Sequence, residues 1–283
     1  MSNKPPQTIA ASNLSHAWGR AFLHVMDNSL RNLTPLTLSI DGFTNCLPAE
    51  DDAIRQALDA RLSARPEKHP TKVSALTIFP YDAWVRRDHP GVAEFSDWYL
   101  TEFFPRLKKR NSLNSHGTYF ERMVRFQGTK ADHGTLQPST KNQLAHIVEI
   151  WRRDGEKGRR PRRSALQIAV FDPPKDHTGG ALLGFPCLQQ VSLSYDEDSS
   201  ALAISAYYPT QYIMDRAYGN YLGLCHLGYF MAREMGLELT RLNCFIGLPE
   251  LGRDWTKSDL QPLAQLVRER LPHAAEGADA HGE

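Results

Sequence analysis

No stretch of the sequence approaches the roughly 18 consecutive apolar residues that a membrane-spanning helix needs, which argues against a bilayer span. Cysteine is scarce: Cys46, Cys187, Cys225 and Cys244 are the four present. None forms a Cys-x-x-Cys pair or a Cys/His cluster with metal spacing, so neither a disulfide framework nor a zinc module is indicated. An excess of one charge is also missing. The formal net charge is +1, so any affinity for nucleic acid or small anions has to be local. The opening residues, MSNKPPQTIAASN, contain no apolar signal core. These absences predict a soluble, reduced, cytoplasmic protein.

What is present is enough for a core. Of 283 residues, 41% are apolar and 10% aromatic, and the length fits one large α/β or α+β unit. Residues 1–12 and 273–283 read as loose tails around a single domain, 13–272. Residues 33–43 alternate and end at Asp-Gly, a strand and turn. Residues 49–66 carry acids first, apolar residues at helical spacing and a Pro stop, so a helix is expected. Residues 72–80, KVSALTIFP, read as a strand, and 91–110 as an amphipathic helix that Pro105 kinks or ends. Residues 127–140 read as a polar loop and 141–153 as a helix with Leu144, Ile147, Val148 and Trp151 on one face. A basic loop (155–163), a strand and a Gly/Pro loop follow. Two strands then flank the turn DEDSS, a long apolar helix (215–236) closes at Gly236, and 241–251 form another strand. Helices mixed with adjacent strands, without repeat or linker, predict an α+β fold with a large mixed or antiparallel sheet.

The stretch LLGFPCLQQVSLSY (182–195) places a Pro-Cys pair just before an alternating run. Cys187 is either a small buried side chain or a nucleophile. In the order helix, basic arm, strand, Pro-Cys, hairpin and Asn-bearing helix, residues 141–251 resemble thymidylate synthase and its relatives, the pyrimidine-nucleotide hydroxymethylases. The segments that carry the resemblance are NQLAHIVEIWRRDGEKGRRPRRSALQIAVF, FPC and AYGNYLGLCHLGYFMAREMGLE.

The resemblance implies a thymidylate-synthase-like fold and a homodimer whose sheets pack back to back. It implies that Cys187 attacks carbon 6 of a pyrimidine and makes carbon 5 nucleophilic towards a one-carbon unit. The implied donor is 5,10-methylenetetrahydrofolate, and the product carries a methyl or hydroxymethyl group. The thiol needs a lowered pKa, which neighbouring arginines can supply. Arg162 and Arg163, with Arg159 and Arg160 as the second register, match the paired arginines that hold the partner subunit's phosphate. Planar guanidinium groups suit that task. The same run also reads as a solvated loop. It lacks interleaved aromatics, which argues against a nucleic-acid surface. Asn220 matches the amide that reads a uracil edge, or else it is a polar residue near a helix start. Thr210 matches a phosphate-binding serine.

Other positions depart from the family pattern. Leu188 replaces the histidine after the nucleophile. Pro209-Thr210-Gln211-Tyr212 stands where the family has Arg-Ser-x-Asp, so the arginine that grips phosphate and thiol is missing, as is the aspartate that meets folate. Gly247-Leu248-Pro249-Glu250-Leu251 replaces the sugar-binding Gly-Asp-x-His-x-Tyr. For the catalytic glutamate, Glu94, Glu102 and Glu121 are candidates by neighbourhood. Losing one charge-assisted phosphate contact is worth about 1.5–3 kcal/mol, which argues against ordinary deoxyuridylate as substrate. Three readings follow: a one-carbon transferase on a uracil-type nucleotide or nucleoside, a non-catalytic nucleotide-binding or regulatory protein, and a nucleic-acid-binding arm. His226 reads as a packed core histidine.

Overall fold

Alternating side chains determine how the sheet is buried. The computed structural model describes residues 5–29, 33–110, 117–132, 135–177 and 186–272. Among them the strands are β1 (Gln7–Ala11), β2 (Leu36–Ile40), β3 (Phe43–Thr44), β4 (Leu47–Pro48), β5 (Phe126–Asp132), β6 (Thr135–Lys141), β7 (Gln167–Ala169), β8 (Gln190–Tyr195), β9 (Ala201–Tyr212) and β10 (Glu238–Glu250). Six join in one mixed sheet of order β1-β2-β10-β9-β8-β7. β1 runs parallel to β2 and β10 parallel to β9, and the other neighbours are antiparallel. This is the mixed sheet of a single-domain protein containing both helices and strands, as the sequence predicts.

One face of the sheet is apolar and buried. Leu36, Leu38 and Ile40 line it from β2, Leu242, Cys244 and Ile246 from β10, Leu202, Ile204 and Tyr208 from β9, and Val191 and Leu193 from β8. A register shift between Leu239 and Arg241 keeps both Leu239 and Leu242 on that face. The opposite face is polar and solvent-facing in the single chain. There Arg241 donates to Ser39 Oγ (3.3 Å), Ser39 to Asn243 Oδ1 (3.0 Å) and Asn243 to Ser205 Oγ (3.3 Å). Tyr207 and Phe245 stack on it with centroids 5.8 Å apart, and both are exposed.

The buried face carries the central helix, Tyr218–Met235, which is apolar around most of its circumference and buried at most of its positions. Such a helix needs cover on every side. The sheet supplies one side: a Cβ placed on Gly228 would sit 2.8 Å from Leu239 Cδ1. The helix Thr71–Ile78 supplies another. It approaches so closely that a Cβ on Gly219 would lie 2.3 Å from the Thr71 carbonyl oxygen, and one on Gly223 2.7 Å from that of Ala75. Gly236 ends the central helix in the left-handed conformation, φ 66°.

Three sequence expectations are corrected. Residues 71–78 are helix and not strand. The buried positions are Thr71, Ser74, Ala75 and Ile78. That spacing is helical, but three of the four residues are too small or polar to register as an apolar face. Residues 126–132 and 135–141 pair as the antiparallel strands β5 and β6 where a loop is expected. The sequence there lacks the apolar alternation that announces a strand. Residues 7–11, expected in the N-terminal tail, form β1 on the edge of the sheet, with Ile9 in the core. The C-terminal tail expected at 273–283 lies outside the described residues. Pro105 does not end its helix. Residues 92–110 continue through a π-helical turn at Tyr99–Phe103, just before the proline.

Gly219→Ala is expected to destabilise the fold by about 1–3 kcal/mol through overpacking. The check is a urea denaturation midpoint, with Gly155→Ala as comparison, where the added methyl would meet only the Arg160 guanidinium at 3.9 Å.

Candidate functional site

The site is built where β9 ends and the central helix begins. Gln189 donates its backbone N–H to Tyr207 (3.0 Å), and Gln190 opens β8 opposite Tyr207. Cys187 therefore lies beyond the start of β8, at the C-terminal end of β9. Leu188 beside it is fully buried, whereas Cys187 is exposed. Gln189 turns its amide to the Pro186 carbonyl (2.9 Å), and Gln190 bonds Gln167 on the solvent-facing side of the sheet (2.9 Å).

Tyr119 stands across from the cysteine. It opens the helix Tyr119–Val124, whose N-cap Thr118 accepts from Glu121 N (3.1 Å) and bonds Tyr99 (2.7 Å). The Tyr119 hydroxyl faces the backbone N–H groups of Leu188 and Cys187. Burial raises its pKa and the nearby Cys187 adds to the rise, while the Arg216 charge and the two N–H groups act the other way. The Cys187 thiol is shielded enough that burial raises its pKa, and Arg216 is the charge that opposes the rise. The sequence expectation of a thiol activated by arginines is therefore not met: one arginine acts, and burial outweighs it.

Arg216 sits in a π-helical turn, Ile213–Ala217, that leads into the central helix. The turn is pinned at its first two residues. Trp18 donates its indole N–H to the Ile213 carbonyl (2.9 Å), and Met214 N reaches the Leu251 carbonyl (2.9 Å). Asp215 accepts from Lys68 (3.0 Å) and from the Trp255 indole (2.6 Å). Its carboxylate is thus committed away from Arg216. Tyr218 donates to Glu50 (2.6 Å) and bonds Ser15 (2.8 Å), and Arg55 grips Glu50 with one amino group (2.8 and 2.9 Å).

Several polar groups at this corner are buried without partners. The Tyr208 hydroxyl and Gln211 Nε2 have none among the described residues. Gln211 Oε1 accepts from Tyr221 (2.8 Å). Tyr208 is coupled electrostatically to Tyr119, Tyr221 and Cys187, and burial pushes its hydroxyl well above the usual tyrosine range. Asn220, in the first turn of the central helix, is 2% exposed. A buried polar group left unpaired costs about 1–3 kcal/mol. Unpartnered donors and acceptors gathered at one corner beside an accessible thiol therefore mark a ligand-facing lining.

The expected site residues are spread over several elements. Cys187 lies at the C-terminal end of β9, and Asn220 lies in the first turn of the central helix. Thr210 lies half-buried on β9 next to Gln211, in register with Leu248. Arg162 and Arg163 are elsewhere. Arg163 donates to the Tyr195 carbonyl (3.1 Å), stacks over the Tyr195 ring (4.7 Å) and pairs with Glu197 (3.3 Å). Tyr195 ends β8 while Cys187 precedes it, so the strand alone puts roughly 17 Å between them. Arg162 is exposed. Within one chain neither arginine serves the thiol.

None of the three glutamates acts on Cys187. Glu94 is exposed, Glu102 pairs with Arg106 (3.6 Å) and Glu121 with Arg125 (2.7 Å). His226 stacks on Tyr81 with centroids 4.1 Å apart, and burial lowers its pKa to about 3, so it stays neutral in the core. A separate cleft of about 230 Å³ is lined by Glu121, Arg122, Arg125, Phe126 and Asp172, among others. Its arginines are ion-paired: Arg122 forms a buried bidentate pair with Asp176 (2.6 and 2.8 Å). That pair also reaches Val170 O (3.1 Å) and Asp172 N (2.8 Å), which fixes the segment leading towards Cys187.

Tyr119, Tyr208, Gln211 and Arg216 were not singled out from sequence. A signal existed for one of them: Arg216 precedes Asn220 by four residues, one helical turn. The sequence matches no protein-family model and no curated protein.

Because the Cys187 pKa is raised, alkylation by iodoacetamide should be slow at pH 7 and still rising above pH 9; mass spectrometry at Cys187 across pH checks this. For Asp176, burial acts to raise the pKa, but the hydrogen bonds from Arg122 and the Asp172 N–H, together with the Arg122 and Lys175 charges, outweigh it and hold the carboxyl below its usual 3.8. That stabilisation is present above the unfolded pKa and disappears as pH falls through the folded one. Asp176→Asn should cost about 3–5 kcal/mol at pH 7, and the gap to the parent protein should narrow below about pH 4, as read by denaturant unfolding.

Proposed function

We propose that this chain is a divergent thymidylate-synthase-like transferase that adds a one-carbon unit at carbon 5 of a uracil-type pyrimidine nucleotide or nucleoside. The observation that carries the reading is Cys187, exposed at the end of β9, with the Arg216 charge acting on it and the buried, unpartnered Tyr208 hydroxyl and Gln211 amide on that strand. A sulfur next to groups able to read a heterocycle edge is the arrangement that addition to a pyrimidine requires. The sheet with one helix-covered face and one polar face, and the Asn-bearing central helix, agree with the architecture that the resemblance implies.

In this reading the Cys187 thiolate adds to carbon 6, and the electron pair moves to carbon 5 and the adjacent carbonyl. Carbon 5 bonds the one-carbon electrophile and loses its proton. Elimination of the sulfur then restores the ring. Asn220 orients the base. The resemblance names 5,10-methylenetetrahydrofolate as the donor, but the family's folate-binding aspartate is Tyr212 here. Its hydroxyl engages Arg253, so that contact with folate is not retained.

The position of Arg163 favours the dimer that the resemblance implies. The arginine is too far to serve its own chain's thiol and lies at the sheet edge, where a second copy packed on the solvent-facing side would bring it to the partner's site. Tyr207 and Phe245 are the apolar centre of that face. Phe245→Asp should shift the chain from dimer to monomer in sedimentation velocity at micromolar concentration.

A second reading, a nucleotide-binding protein without catalysis, is favoured by the raised Cys187 pKa and by the absence of a carboxylate acting on the thiol among the described residues. One experiment separates the two. Incubation with 5-fluorodeoxyuridylate should give a covalent adduct by intact mass that Cys187→Ser abolishes. Binding without any adduct would assign the second reading, and no binding of pyrimidine nucleosides or nucleotides would overturn both.

A further inference from the structure

The sequence departs from the resembling family by placing Pro209 where an arginine should stand beside the thiol, yet the site is not without a cation. Arg216 arrives from the other side, out of the π-helical turn, and its charge acts on both Cys187 and Tyr119. Its guanidinium is exposed. It makes one long hydrogen bond, Nη1 to Ser74 Oγ at 3.4 Å, and no ion pair among the described residues. The neighbouring carboxylate, Asp215, is saturated by Lys68 and Trp255. A guanidinium has five N–H donors, so most of those on Arg216 are unused. One turn further along lies Asn220, which is buried, and the Tyr208 hydroxyl and Gln211 amide on β9 are buried with no partner among the described residues.

We propose that Arg216 is the anion-binding residue of the Cys187 site, taking a compact oxyanion, a phosphate or carboxylate, of the ligand whose ring Asn220 orients. The inference rests on the pyrimidine reading for the ligand's ring, but not for the anion itself. A planar fork of unused donors at the mouth of a site suits a two-oxygen anion. The unpartnered Tyr208 hydroxyl and Gln211 amide are neutral, so Arg216 is the charged member of the set. With a single guanidinium in place of a cluster, the site should favour a ligand with one small anionic group over a di- or triphosphate.

The test reads protection of Cys187 from iodoacetamide at pH 8 in the full-length protein. Inorganic phosphate and acetate serve as separate probes, with chloride at equal ionic strength as control. Phosphate or acetate should slow alkylation of the parent protein severalfold. Arg216→Gln should abolish that protection, and Arg216→Lys should restore it in part. In the same series, Arg216→Gln should slow the basal alkylation at fixed pH, because Arg216 is the charge among the described residues that opposes the rise in the Cys187 pKa. Circular dichroism confirms that the variants fold. Protection by neither probe, or protection unchanged in Arg216→Gln, overturns the proposal. A second arm compares deoxyuridine with deoxyuridylate. The preference for the phosphorylated form should fall about tenfold or more in Arg216→Gln. If neither compound binds while phosphate still protects through Arg216, the pyrimidine reading fails and the anion site stands.

Discussion

The central helix is apolar around most of its circumference, and the fold is the arrangement that buries it. The sheet, the helix 71–78 and the aromatic side chains around Phe79, whose ring packs 4.8 Å from that of Phe230 on the helix, each cover one side. Burying each large side chain in this way contributes about 1.5–3 kcal/mol. The position of Asn220 follows from that burial. With Gly219 and Gly223 pressed against backbone carbonyls, the helix has no freedom to slide or roll. The first turns of the helix are therefore fixed against the end of β9, which is also where the chain sets Cys187.

Electrostatics at this corner run against expectation for a nucleophilic thiol. Shielding raises the Cys187 pKa and one arginine only partly offsets it. Tyr119 and Tyr208 are held neutral by burial, and the nearest carboxylates are occupied by Lys68, Arg55 and Arg125. A resting thiol beside a fixed cation is a site in which an incoming ligand alters the balance. Closing water out strengthens whatever charge interactions the ligand brings, since the effective dielectric falls.

Local pattern made much of the fold legible. Alternation in 188–195 and 201–209 pointed to the strands that form β8 and β9. The apolar face Leu144, Ile147, Val148, Trp151 marked a helix, and Gly236 marked the end of another. What pattern could not give was structure decided at a distance. Thr71, Ser74 and Ala75 become a helix face only because two glycines opposite them leave room. The pairing of β5 with β6 is not advertised by their side chains, and β1 needs β2 as its partner. The site divides the same way. Cys187 and Asn220 stood out as residues odd in their local setting. Tyr208 and Gln211 look like ordinary strand residues, and their lack of partners emerges only once the sheet and central helix enclose them. Arg162 and Arg163 stood out as charges, but where a charge lies along the sequence does not say which end of a sheet it reaches.

The π-helical turn at Ile213–Ala217 has a consequence for comparing this chain with others. A bulge of that kind accommodates an additional residue without lengthening the helix by a normal step. Each residue of an α-helix accounts for about 100° of rotation. Any relative that crosses this stretch in regular helix would therefore present its side chains about a quarter-turn out of phase on one side of it. Gapless counting from Asn220 back into β9 inherits that phase error, so correspondence here is a matter of superposed space, and the ordinal number of a residue is a poor guide to its counterpart.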